Sequence, residues 1–81
     1  MVTIVKAEKF ERSFRKLDTS YKQRVEKIAQ KIIENPEIGK PMRYTRKGTR
    51  EVYASPFRLS YAYNKEDNTL TFLDLYHKDE Q

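Results

Sequence analysis

Val2, Ile4 and Val5 open the chain as a short apolar run, a spacing that predicts a first strand internal to a sheet. From Ala7 to Leu17 the period lengthens. Phe10, Phe14 and Leu17 fall at i, i+4 and i+7, one face of a helix, with Lys9, Arg12, Arg15 and Lys16 mostly off that face. Asp18 or Thr19 is placed to cap a second helix, in which Tyr21, Val25, Ile28, Ile32 and Ile33 keep the same period. That helix should stop at Asn35, because Pro36 disfavours helical geometry in the residue before it.

Residues 36–49, punctuated by Pro36, Gly39, Pro41 and Gly48, read as a loop. Beyond it the period shortens to two. A strand over 50–54 sets Val52 and Ala54 on one face and Glu51 and Tyr53 on the other, and Ser55-Pro56 turns the chain. The next strand sets Phe57, Leu59, Tyr61 and Tyr63 against Arg58, Ser60 and Ala62. After a turn over 64–68, residues 69–77 are apolar on both faces, as suits a strand with a neighbour on each side. The predicted fold is α+β: a short N-terminal strand, a two-helix hairpin and a three-stranded antiparallel meander, with the helices packed on one face of the sheet. Phe10, Phe14, Val25, Ile28 and Ile32 are the expected core.

A chain of 81 residues has room for one core, so residues 1–81 are read as a single domain. The absence of Cys excludes disulfides and thiolate metal sites, and one His among scattered carboxylates makes a poor metal cage, so neither metal nor other cofactor is expected. No apolar run approaches the roughly 20 residues that span a bilayer, nor is the N-terminal run long enough for a signal peptide; a cytoplasmic location without membrane attachment is the expectation.

Charge adds a direction. The formal net charge is +5, and Lys40, Arg43, Arg46, Lys47, Arg50 and Arg58 crowd one stretch that holds the lone acid Glu51. Such a block suits a polyanion such as RNA, and a solvated basic surface is the plainer alternative. Cutting RNA without metal requires a base for the ribose 2′-hydroxyl, cations for the phosphorane and an acid for the 5′ oxygen. His77, closing the last strand, is the natural acid. Arg58 would clamp the phosphate, with Lys78 and Arg50 adding charge. Glu51 is one candidate base, and Tyr53, on the same face, is placed to stack on a nucleobase. Arg58 has a duller alternative, an exposed pairing with Glu51 across the sheet worth about 0.5 kcal/mol.

The element order, with Phe-Arg-Leu-Ser-Tyr at 57–61 and Leu-Tyr-His-Lys at 75–78, resembles the RelE/ParE superfamily of toxins from type II toxin–antitoxin systems over almost the whole chain. The Tyr76-His77 ending is most similar to the YoeB branch, and Lys78 stands where RelE-type members often have a second basic residue. The resemblance implies a ribosome-dependent mRNA endoribonuclease that enters the A site, or, in the ParE type, an inhibitor of DNA gyrase; a non-catalytic RNA- or antitoxin-binding module is a further alternative. It also implies a cognate antitoxin as partner. Gly39-Lys-Pro-Met-Arg43 resembles a YoeB segment that carries a carboxylate before the proline, where this chain has Lys40, making Lys40 the other candidate base and, with Arg43, Arg46 and Lys47, a phosphate binder. The catalytic C-terminal tyrosine of RelE-like enzymes has no counterpart before Gln81.

Overall fold

A computed structural model describes residues 1–43 and 48–80. The elements are β1 (Thr3–Lys6), α1 (Glu8–Arg15), α2 (Thr19–Glu34), β2 (Lys40–Pro41), β3 (Arg50–Ala54), β4 (Phe57–Asn64), β5 (Thr69–His77) and a closing 3₁₀ turn (Lys78–Glu80). The strands form one sheet in the order β1-β5-β4-β3-β2, antiparallel except where β1 runs parallel to β5. The predicted α+β architecture and the β3–β4–β5 meander are thus present. Two expectations need correction. The first strand is an edge rather than an internal strand, with Ile4 packed on the core and Val5 exposed on the other face, and the 36–49 segment contains the short strand β2, whose two residues include Pro41 and carry no alternation to detect.

Both helices are set by local chemistry before they pack. Asp18 caps α2, its carboxylate accepting the Tyr21 backbone N–H at 2.9 Å. Asp18→Ala should cost about 1 kcal/mol, read as a fall of roughly 4–8 °C in a thermal melt. Helix α1 has Glu8 and Glu11 in its first turn and Arg12 and Arg15 in its last, a charge order that favours the helix dipole. It stops two residues earlier than its apolar period suggests, because the N–H groups of Lys16 and Leu17 bond to Ser13 and Phe14 three residues back, tightening the last turn. Leu17 still packs on the core from that turn.

The core lies between the helices and one face of the sheet. Phe10, Val25 and Ile32 from the helices meet Leu59, Tyr61, Leu70, Phe72 and Leu75 from β4 and β5. Phe10 stacks on Phe14 and on Phe72 with ring centroids 5.9 and 5.4 Å apart. An irregularity in β5 sets which side chains reach this layer. Tyr61 lies opposite Phe72 but Ser60 lies opposite Asp74, so Leu73 is an extra residue, a β-bulge that reverses the alternation. Leu70 and Phe72 before it, and Leu75 and His77 after it, all come to the helix side.

Candidate nucleic-acid interface

The face turned away from the helices carries two rows of registered side chains. In one row Lys40 lies opposite Glu51, Glu51 opposite Ser60 and Ser60 opposite Asp74; in the other Tyr53 lies opposite Arg58 and Arg58 opposite Tyr76. Directly opposed residues share a face of a sheet, so these seven belong together, with Asp74 at the margin where Lys9 of α1 reaches it at 3.4 Å. At the centre Arg58 Nη1 donates to Glu51 Oε1 at 3.0 Å, and the Tyr76 hydroxyl donates to Glu51 Oε2. The Glu51 side chain is only 6% exposed against 37% for Arg58, so the pair is half sunk, unlike the exposed contact expected. The Arg58 guanidinium carbon sits 5.9 Å from the centroid of Tyr53, a ring that is half exposed. Arg58 Nε is buried and has no hydrogen-bond partner among the described residues.

His77 is elsewhere. It lies opposite Phe57 rather than Arg58, and its ring meets Phe57 edge to face at 5.9 Å. Phe57 in turn contacts Tyr21 of α2 at 5.2 Å, and His77 helps line a cavity of about 160 Å³ with Ser13, Leu17 and Leu75. His77 Nδ1 accepts the Asp79 backbone N–H at 3.3 Å. The expectation that Arg58 and His77 converge on one phosphate is therefore overturned, and the bulge at Leu73 is the cause: it delivers Tyr76 to the Arg58 face and turns His77 under the sheet.

Arg50 is likewise on the helix side, opposite Tyr61, where Nη1 donates to the carbonyls of Glu37 at 3.1 Å and Gly39 at 2.8 Å. It cannot add charge around a phosphate held by Arg58. Lys78 is exposed in the closing turn, its backbone N–H bonded to the Pro56 carbonyl. Lys40 and Arg43 are exposed, Lys40 beside Glu51, while Arg46 and Lys47 fall outside the described residues.

Residues 4–81 match the family described as ParE toxin of type II toxin–antitoxin system, parDE. The chain belongs to the ParE toxin family. Its fold matches the Mycobacterium tuberculosis RelBE2 toxin–antitoxin complex with TM-score 0.85 and 25% identity, over 95% of this chain and 98% of that one. It also matches the isolated E. coli RelE toxin, with TM-score 0.82 and 16% identity over 100% and 88% of the two chains. The YoeB/ParE toxin from Agrobacterium tumefaciens gives TM-score 0.82 and 11% identity over 94% and 98%. No curated protein sequence matches. The RelE/ParE resemblance read from 57–61 and 75–78 is borne out, and this ParE-family chain is a toxin of a type II system.

Tyr76 is the residue of the Arg58 cluster that sequence reasoning missed. Its signal was present, a polar aromatic two residues after an acid near a strand end, but assigning it to the Arg58 face required knowing where the bulge falls. Tyr61 is fully buried, and that burial raises its phenol above the ordinary 10.0, the Gly39 N–H and Arg50 pulling the other way. Among the described residues, no cluster of three or more His, Asp or Glu side chains could hold a metal, and no helix is long and apolar enough to cross a membrane.

Proposed function

We propose that this toxin acts in the cytoplasm on the translating ribosome, binding mRNA on the sheet face centred on Arg58 and cutting it without metal. The observation that carries this reading is the Glu51–Arg58–Tyr76 cluster with Tyr53 alongside, which joins a carboxylate, a guanidinium and an exposed ring on the face that no helix covers. Glu51 takes the proton from the ribose 2′-hydroxyl as that oxygen attacks the adjacent phosphate. Arg58 stabilises the phosphorane with its guanidinium charge. The departing 5′ oxygen takes its proton from Tyr76 or from solvent. Lys40 and Arg43 hold neighbouring phosphates, and Tyr53 stacks on a base. His77 and Arg50 have no part in the chemistry. An antitoxin silences the toxin in its own host, as the RelBE2 complex pairs a toxin with an antitoxin.

One observation favours a second reading. A carboxylate and a guanidinium already paired at 3.0 Å make a stable arrangement that requires no substrate, so the same face serves equally as a docking surface for a protein target, the DNA gyrase that the sequence resemblance implies for the ParE type. Inducible expression with primer extension on a reporter message separates the two. Cuts within translated codons that vanish in Arg58→Ala support the nuclease. Growth arrest with intact message and a DNA-damage response supports the gyrase reading and removes the nuclease.

A further inference from the structure

Beneath the sheet, four hydrogen bonds from two side chains converge on one short stretch of backbone. The Tyr61 hydroxyl accepts the Gly39 N–H at 2.9 Å and donates to the Pro36 carbonyl at 2.8 Å. Arg50, directly opposite Tyr61 across β3 and β4, donates to the carbonyls of Glu37 and Gly39. Neither side chain reaches the Arg58 face. The residue after Gly39 does: Lys40 lies opposite Glu51 on that face, in a strand of two residues. A ladder so short has little stability of its own, so the place of Lys40 depends on what ties the chain down just before it. Packing makes the tie close-fitting, because a Cβ on Gly39 would stand 2.6 Å from the Tyr61 hydroxyl oxygen.

We propose that Arg50 and Tyr61 are positioning residues that act through residues 36–41 to hold Lys40 beside Glu51 on the RNA-binding face. The inference rests on the reading of that face as an RNA site. It accounts for an arginine of the basic block pointing away from the other cations: its charge fixes backbone, and Lys40 meets the phosphate. The arrangement is a division of labour between the two sides of the sheet, with the buried side setting the geometry of the exposed one.

The test is fluorescence anisotropy of the purified toxin with a labelled single-stranded oligoadenylate across a salt series. Lys40→Ala is expected to reduce the slope of log affinity against log salt by about 0.7, the loss of a single phosphate contact on a single strand. Tyr61→Phe removes no charge, yet is expected to reduce the slope by about the same amount, and the Lys40→Ala/Tyr61→Phe double variant by no more. Arg50→Ala combined with Lys40→Ala should likewise equal Lys40→Ala alone; a direct phosphate contact by Arg50 would lower the double variant's slope by about 1.4. A wild-type slope in Tyr61→Phe, or additive losses in the double variants, overturns the inference. So does an unchanged slope in Lys40→Ala, which leaves the RNA reading standing. Should Tyr61→Phe fail to fold by circular dichroism, the Arg50→Ala series decides alone. A wild-type protein that binds no oligoadenylate at any salt overturns the RNA reading itself, and the inference with it.

Discussion

Gly39→Ala should lower the melting temperature by roughly 5–20 °C, the equivalent of the 1–3 kcal/mol that overpacking a tight site costs in a domain of this size. The added methyl would meet the Tyr61 Oη at 2.6 Å, Cε1 at 2.8 Å and Cζ at 3.0 Å. Tyr61 has nowhere to go. It is 0% exposed, and its hydroxyl is held from both sides by Gly39 and Pro36. Gly48 provides the control, because its backbone lies at φ +97° with nothing within 4 Å of an added Cβ. Gly48→Ala therefore brings backbone strain of about 1–2 kcal/mol and no collision. Melts followed by circular dichroism measure both. A Gly39→Ala protein melting within about 2 °C of wild type would show that Tyr61 does not anchor this stretch of backbone.

The second large effect is on cutting. In single-turnover assays on ribosome-bound message, Glu51→Gln should slow cleavage by about 10²–10⁴-fold, as loss of a general base does. Arg58→Ala should slow it by about 10²–10³-fold, as loss of a preorganised charge does. His77→Ala should stay within about threefold, because a ring on the opposite face contributes no proton to the reaction. Stability bears on all three, since His77 packs on Phe57 and Glu51 pairs with Arg58, and most heavily on Arg58→Ala. Arg58→Ala takes the cation from a carboxylate that is 6% exposed, for a cost of about 1–3 kcal/mol, reduced from a fully buried pair because Arg58 itself is 37% exposed. Arg58→Lys separates the effects, since it keeps a charge near Glu51 but loses the planar fork that grips a phosphate. If His77→Ala abolishes cleavage while Glu51→Gln leaves it intact, the chemistry proposed for this face is wrong.

The architecture was largely readable from periodicity, and the reasons are specific. The 3.6-residue spacing of Phe10, Phe14 and Leu17, and of Val25, Ile28 and Ile32, survives folding because tertiary packing needs it. The alternation of Phe57, Leu59, Tyr61 and Tyr63 marks the inner face of β4 correctly. The grouping of Glu51, Tyr53 and Arg58 on one face was legible for the same reason. What could not be read was β5. A strand apolar on both faces hides the residue at which its alternation breaks, and the break at Leu73 exchanges the faces of Tyr76 and His77. Burial of Leu75, 3% exposed, fixes that choice: regular pairing from Phe72 onward would turn Leu75 outward and Asp74 into the core. Arg50 was misjudged for another reason. The period of two already set it with Val52 and Ala54, on the face away from Glu51 and Tyr53, and its place in the basic block outweighed that signal.

The two margins of the sheet are short. β2 presents two residues, one of them a proline without an N–H, and β1 presents four, ending in Lys6. Strand edges are where a foreign chain, or another copy of the same one, finds backbone groups to extend its own ladder, and brevity, proline and lysine all discourage that growth. A small protein with a thin core and three longer strands would otherwise be prone to self-templated fibres. Because the stubs pair only with Thr69–Phe72 of β5 and Arg50–Glu51 of β3, each outer margin the toxin offers is short and interrupted, a poor seed for such fibres.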